Sequence, residues 1–425
     1  MKISLTTFAI AQLAGLASCA PGSDLEGRKT NTFSLKQVKN EKFRAIDAPT
    51  ALLDVYAKYG KPIPKAMQKA MEINPDLSLK FKNRLAAAGS VTASVPNYPA
   101  PYYDSQYVVP VQIGTPPQNM YLNLDTGSAD FWVFSTDTYA PLVRGHTLYR
   151  PKNSSTSKRL KGQSWSVLYG DGASAGGIVY TDKVSLGATS FNTQAIQSAV
   201  QVSAAISADS FASGILGMGR TKANTVRPTQ QRTYIENIQS ELREPVFTVD
   251  LHPQKPGTYD FGWISTRKHT GSIKYVPTDP NSPYWEFTVD GYKIGKDSKE
   301  LRPYRFQAIA DTGTTLLLLP TGMVNDYYSK VKGADLDPYS GMMIVPCSAD
   351  LPDWVIALGS YRGVVPGHYI SYGNMNSTHC YGGIQSSDGI GFAIVGDVFL
   401  KAQFAVFDIG RSRIGFANKL TTPKP

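Results

Sequence analysis

Apolar residues recur at alternate positions in short runs along most of this chain, and the runs are broken by Gly, Pro, Asn and Asp. "QYVVPVQIG", "VFTVDLHP", "GTYDFGWI" and "FAVFDIG" have this form. Period-two alternation between turn signals predicts short β-strands. From about residue 103 onward the chain therefore reads as mostly β. Helical spacing is sparse there: Ile235, Ile238 and Leu242 in "YIENIQSEL", and Val324, Tyr328 and Val331 in "MVNDYYSKVK".

Upstream the pattern changes. Residues 21–85 are lysine-rich, with helical spacing in "PKAMQKAMEI" through Met67, Ala70 and Met71 and few strand patterns. "AAAGSVTASVPNYPAP", residues 86–101, is a connector of small residues and proline. The first twenty residues, "MKISLTTFAIAQLAGLASCA", have a basic start at Lys2, an apolar centre and small residues at Ser18 and Ala20. They read as a secretion signal cleaved near Ala20, which places the protein outside the cell. Cys19 in "LASC" also fits a lipid-attachment signal, a reading that the soluble character of the remaining chain disfavours. No later apolar run has the length to span a bilayer, and the polar end "ANKLTTPKP" lacks the tail of a lipid anchor, so no membrane anchor is expected.

Two strands break the apolar pattern in the same way. "YLNLDTGSADFWVFS" places Asp125 at the end of an alternating run, and "FQAIADTGTTLLLLP" does so with Asp311. Asp125-Thr126-Gly127-Ser128 thus recurs as Asp311-Thr312-Gly313-Thr314 after 186 residues. Each copy is followed by an apolar-apolar-Gly stretch: "ILGMG" puts Gly217 92 residues after Asp125, and "AIVGD" puts Gly396 85 after Asp311. One Asp-Thr-Gly is ordinary turn chemistry; two pairs in the same order imply two similar lobes.

If the lobes pack about a two-fold axis, each brings one carboxylate to the same point. Two adjacent carboxyls share a proton, one apparent pKa falling and the other rising, and such a pair acts as base and acid in one step. Gly127 and Gly313 permit close approach of the two loops. The hydroxyls of Thr126 and Thr312 are placed to lock them together, and Ser128 and Thr314 to donate to the carboxylates.

Composition narrows the remaining classes. A chain of 425 residues, 42% hydrophobic and 18% charged, is a folded protein with room for more than one core. The net charge of +10 is concentrated upstream: residues 21–85 carry 13 Lys and Arg against 7 Asp and Glu, and residues 86–425 carry 29 against 26. With no basic-aromatic stripe in the body, no nucleic-acid partner is expected. Removal of the signal leaves Cys347 and Cys380, an even pair in an oxidising compartment, and one disulfide is expected, with two free thiols the alternative. Asn153 in "NSS" and Asn376 in "NST" are candidate glycosylation acceptors.

On both Asp-Thr-Gly motifs, "SVLYGDG" (166–172), "IENIQSEL" followed by "PVFTVDL", "PGTYDFGWI" and "IVGDVFLKAQFAVFD", the chain resembles the pepsin-like aspartic proteases, most closely the secreted fungal group of penicillopepsins and aspergillopepsins. The resemblance covers nearly all of residues 103–418, and the spacing of Cys347 and Cys380 matches the group's single disulfide. It implies a mostly β, bilobal pepsin-like fold with pseudo-two-fold related lobes and an N-terminal propeptide. The expected division is signal peptide 1–20, propeptide 21–85, linker and mature N-terminus 86–102, N-terminal lobe with flap 103–270, and C-terminal lobe 271–425.

By the same resemblance, water held between Asp125 and Asp311 attacks the scissile carbonyl of a protein or peptide substrate. No covalent intermediate, metal or cofactor is needed, and a monomer is expected. Tyr169 and Gly170 match the tip of the flap that closes over substrate, and Trp132 matches the tryptophan that supports the flap tyrosine. Large apolar side chains are expected beside the scissile bond, and Asp171 adds possible acceptance of Lys there. "AKYG" makes Lys58 and Tyr59 candidates for contacting the dyad in a zymogen, with the basic propeptide released in acid and self-cleavage near residues 84–90. The chain departs from the group at Ala173, at Ser213 where Asp often stands, and at Gly219 in place of Ala.

Rival chemistries fit less well. Gly172-Ala-Ser174-Ala-Gly176 satisfies the G-x-S-x-G serine-hydrolase pattern, but it lies in a Gly-rich hairpin and not at a strand-to-helix turn. His146, His252, His269, His368 and His379 form no H-E-x-x-H zinc motif. A catalytically silent binding protein on the same fold is the remaining alternative, disfavoured because both triplets and Tyr169 are intact.

Overall fold

The computed structural model of the 425-residue chain describes residues 31–39, 47–85, 107–168, 174–203, 206–207, 212–253 and 255–419. The expected signal peptide and linker lie outside these residues. The strands read from sequence form, but Val246–His252 and Gln403–Asp408 are buried along nearly their whole length, because both faces are covered, and only some of the others alternate. In Gln118–Asp125, Met120, Leu122 and Leu124 turn inward and Tyr121 is exposed. Phe131–Phe134 is buried on both faces, as its unbroken apolar run requires of a central strand.

The internal repeat of the sequence is a repeat of topology. One sheet contains, in spatial order, Tyr107–Ile113, Gln118–Asp125, Gly214–Gly217, Phe131–Phe134 and Thr189–Val202. A second contains Glu286–Ile294, Arg302–Ala310, Ala393–Val395, Leu317–Leu319 and Ile384–Ser386 in the corresponding order. In each, the strand leading to the Asp runs parallel to the apolar strand ending at the later Gly: Asp125 lies opposite Gly217, and Ala310 opposite Val395. The strand after the Asp-Thr-Gly turn then runs antiparallel on the other side.

Both later glycines have a steric reason. A Cβ on Gly217 would meet the backbone of Ala129 and Asp130, and one on Gly396 would meet the carbonyl oxygens of Thr314 and Leu316. The motif's own turn passes directly over each glycine. The departure at Gly219 belongs to the same place, since a Cβ there would run into the Ser128 carbonyl. Ser213 is buried and its Oγ accepts from Thr147 N–H at 3.0 Å, a structural bond inside the first lobe.

A six-stranded sheet spans the two lobes, in the order Phe33–Lys36, Lys255–Phe261, Val246–His252, Gln403–Asp408, Arg413–Asn418, Lys274–Pro277. It joins strands from both sides of residue 270. Phe247 stacks on Phe407 at 4.5 Å between its two central strands, and the indole N–H of Trp285 donates to Met218 O at 3.0 Å. Cys347 and Cys380 are disulfide-bonded.

Among the described residues, three helices precede the first lobe: α1 (Ala48–Lys58), α2 (Lys65–Ile73) and α3 (Pro75–Leu85). The Asp47 side chain caps α1 by accepting from Thr50 N–H at 3.0 Å. Leu52, Leu53, Val55 and Tyr56 of α1 and Met67 and Ala70 of α2 join a buried cluster with Ile309, Leu316, Leu318, Met342, Ile390 and Ile394 of the second lobe. α2 is the helix that Met67, Ala70 and Met71 predicted; α1 and the strand Phe33–Lys36 carry no such clear periodicity.

Candidate active site

The two Asp-Thr-Gly turns meet at the lobe junction. Thr126 N–H donates to Thr312 Oγ1 at 3.1 Å and Thr312 N–H to Thr126 Oγ1 at 3.0 Å. Each hydroxyl then donates across to the opposite strand, Thr126 to Ala310 O at 2.9 Å and Thr312 to Leu124 O at 2.6 Å. Four bonds across the two-fold axis thereby fix the loops against one another. Gly127 N–H donates to Asp125 Oδ1 and Gly313 N–H to Asp311 Oδ1, both at 2.9 Å. A Cβ on Gly127 would overlap Asp311, and one on Gly313 would overlap Asp125, so glycine at each position permits the opposite carboxylate to approach.

Both carboxyls are buried. Thr314 Oγ1 donates to Asp311 Oδ2. Its counterpart does not do the same: Ser128 Oγ is buried without a hydrogen-bond partner, while Asp125 Oδ1 is taken by Gly127 N–H and by a lysine. The expected equivalence of Ser128 and Thr314 thus fails in this state of the molecule.

That lysine is Lys58, the last residue of α1. Its Nζ lies 2.7 Å from Asp125 Oδ1 and 2.8 and 2.9 Å from the two oxygens of Asp311. Tyr59 OH donates to Asp311 Oδ2 at 2.7 Å. Desolvation alone would drive the Lys58 proton off, but the charges of Asp125 and Asp311 outweigh it and raise the lysine pKa. Burial pushes the Asp125 carboxyl up against the pull of Lys58, with the Asp311 charge adding to the rise. At Asp311 burial also opposes ionisation, but Lys58 and the bonds from Asp125, Lys58 and Thr314 prevail and hold it down at about 2. The two carboxyls are therefore inequivalent.

Tyr59 is seated between Tyr284 and Phe392, edge-on to each with centroids 5.4 Å apart. These two aromatics were not singled out from sequence; as lone rings in strand-like surroundings they carry no signal of their own. Tyr56, two residues before Lys58, donates to the carbonyls of Ser386 and Asp388 and pins α1 to the second lobe. Also unread was Asp130, buried beneath the first turn and accepting from Asn224 Nδ2 at 3.0 Å and Thr225 N–H at 2.8 Å.

Trp132 is buried and stacks with Trp165 at 6.2 Å, beneath the hairpin of Lys158–Leu168 and Ser174–Leu186. Tyr169, Gly170 and Asp171, expected at the hairpin tip, lie outside the described residues, as do Gly172 and Ala173 of the serine-hydrolase pattern. Asn153 and Asn376 are exposed. Among the described residues no group of three or more His, Cys, Asp or Glu is arranged to hold a metal ion, and no helix is long and apolar enough to cross a membrane.

Two inward carboxyls on locked, glycine-lined turns are the chemistry of one protease class, and comparison with known proteins agrees. The profile of the eukaryotic aspartyl proteases matches residues 106–419. The chain belongs to the eukaryotic aspartyl protease family. It is 42% identical to endothiapepsin of Cryphonectria parasitica over 99% of both chains. It is 41% identical to penicillopepsin-2 of Penicillium janthinellum, over 95% of this chain and 97% of that one. Aspergillopepsin-1 of Aspergillus pseudoglaucus is also 41% identical, over 97% of each. Among solved structures, the aspartic proteinase from Irpex lacteus superposes with a TM-score of 0.62 at 26% identity, over 75% of this chain and 95% of that one. This aspartyl protease is thus an aspartic-type endopeptidase, a hydrolase with the pepsin-like fold.

Proposed function

We propose that the protein is an acid endopeptidase secreted as a zymogen, with Asp125 and Asp311 as its catalytic pair. One carboxylate takes a proton from a water held between them as that water attacks the scissile carbonyl, while the protonated partner donates to the carbonyl oxygen. The proton is shared because two buried carboxyls at one point cannot both ionise readily. The observation that carries the zymogen reading is Lys58 Nζ bridging Asp125 and Asp311, with Tyr59 OH on Asp311. A cation in the place of substrate neutralises the pair and excludes water, so residues 21–85 act as an intramolecular inhibitor.

In this reading residues 1–20 direct secretion, residues 86–102 become the linker and mature N-terminus, and cleavage falls near residues 84–90. The mature enzyme is a glycosylated monomer, cleaving beside large hydrophobic side chains and beside Lys through Asp171, with Tyr169 and Gly170 closing over substrate. The apolar cluster that α1 and α2 cover, with Tyr284 and Phe392 around Tyr59, supports the hydrophobic preference.

The test is hydrolysis of denatured haemoglobin by acid-treated protein, with and without pepstatin, beside Asp125→Asn and Asp311→Asn. Acid activity lost in both variants and with pepstatin is expected. Folded protein freed of residues 21–85 that cleaves nothing would instead make this a binding protein on a protease fold.

A further inference from the structure

We infer that Asn153 carries an N-linked glycan whose first sugar is seated in a groove of the first lobe, and that this glycan is part of the folded surface. The inference rests on the reading of the protein as a secreted glycoprotein. A groove of about 430 Å³ is lined by Pro116, Gln118, Asn119, Leu148, Arg150 and Asn153, among others. Its size falls within the ~300–1,000 Å³ of small-ligand sites. Asn153 itself forms part of the wall, so a sugar attached there starts inside the groove.

The acceptor is exposed at the end of the 3-10 turn Pro151–Asn153, and its neighbours hold that turn rigidly. Ser154 is buried, its Oγ accepting from Thr115 N–H at 3.0 Å and donating to Asp182 Oδ1 at 3.0 Å. Ser155, the sequon hydroxyl, donates to Thr115 O at 3.1 Å. The groove is equally fixed: Gln118 Nε2 donates to Arg150 O at 3.1 Å and Gln118 Oε1 accepts from Arg150 N–H at 2.8 Å. Pro116 and Leu148 offer apolar surface to a sugar ring and its acetamide methyl, and Asn119 and Arg150 offer donors to its hydroxyls. Asn376 contrasts with it. It sits on an exposed turn and its Oδ1 accepts from Thr378 and His379 N–H, while the groove at Asn153 does not include it.

Attachment follows ordinary acceptor chemistry. Asn153 Nδ2 forms a bond to the anomeric carbon of an oligosaccharide carried on a lipid diphosphate. The carbon–oxygen bond to the diphosphate breaks, the lipid diphosphate leaves with the electron pair, and the amide loses a proton to base.

The full chain is produced in a secreting yeast, glycopeptides are mapped by mass spectrometry, and release by an endoglycosidase is timed on native and denatured protein. We expect Asn153 to be occupied, with release from native protein at least ~10-fold slower than after denaturation. Asn119→Ala with Arg150→Ala, two exposed side chains, should restore fast release while leaving peptidase activity unchanged. An unmodified Asn153 overturns the glycoprotein reading at this site and the inference with it. An occupied Asn153 released equally fast in both states, or slow release that the double variant leaves unaltered, overturns the seating in the groove while the modification stands.

Discussion

Thr126 and Thr312, 186 residues apart, each accept a hydrogen bond from the other's backbone N–H, at 3.1 and 3.0 Å. Each side chain thereby performs for the opposite lobe what a strand neighbour does within a sheet. Thr312→Val keeps the shape but leaves Thr126 N–H and Leu124 O buried without these partners. An orphaned buried polar group costs ~1–3 kcal/mol, so we predict a clear fall in melting temperature. The carboxyls also lose their mutual alignment, and kcat/KM should fall ~10-fold or more. Thr312→Ser restores the hydroxyl and should recover most of both losses. Equal damage by Ser and Val would show that the methyl group, not the cross-lobe bond, is what matters.

The dyad was legible because it violates the pattern around it. An Asp closing an apolar strand is costly, and its recurrence in matched context marks a site. The hydroxyls and glycines could be assigned roles because their spacing from the Asp is short and fixed. α1 was illegible for the opposite reason. Ala48, Pro49, Thr50, Leu52, Leu53, Val55, Tyr56 and Ala57 are all buried, so the helix has almost no polar face and gives no amphipathic period. Asp130 hid in turn-like "SADF", since the partners that explain it, Asn224 and Thr225, lie 94 and 95 residues away.

Asp130 makes a pH prediction of its own. Burial raises its pKa to about 6, against the lowering by Thr225 and Gln197. A carboxyl whose folded pKa is raised adds stability that is fully present below its unfolded value near 3.8 and is lost as pH rises through about 6. The enzyme should therefore lose ~2–3 kcal/mol from this group between pH 4 and pH 7. Asp130→Asn cannot ionise, and its melting temperature should decline less over that range than that of the wild type. Parallel melting curves against pH for the two proteins would rule out Asp130 as a source of neutral instability.

Cys347 and Cys380 close a loop with a sequence separation of 33. In the chain-entropy account a loop of that length stabilises the fold by ~3–4 kcal/mol. Cys347 directly follows the strand Met343–Pro346, and Cys380 lies in His379–Gly382, its antiparallel neighbour. Replacing both cysteines with Ser should lower denaturant resistance by that amount, with kcat/KM on a small peptide changed less than ~3-fold. A large kcat effect in still-folded protein would mean that this strand pair reaches the catalytic cleft.

The Lys58 bridge to Asp125 and Asp311 predicts a pH dependence for the docking of residues 48–85 on the body. Asp311 is held at about 2 with Lys58 in place. A depressed carboxyl contributes stability above its unpaired value near 3.8, and loses it as pH falls through that value toward 2. The raised pKa of Lys58 keeps its own contribution intact throughout the acidic and neutral range. Docking should thus hold at pH 6 and weaken steeply below about pH 4. Lys58→Met removes the cation and leaves two carboxyls buried under an apolar side chain, a broken buried pair worth ~3–5 kcal/mol. At pH 6 the variant should bind immobilised pepstatin at least ~100-fold more readily than wild type, and its dependence on pH between 6 and 3 should flatten. Lys58→Arg keeps the charge and should behave like wild type in the direction of its pH response. If Lys58→Met remains closed at pH 6 and still opens on acidification at the wild-type midpoint, the apolar cluster around Tyr56 and Met67 holds the segment and the trigger lies at another titrating group.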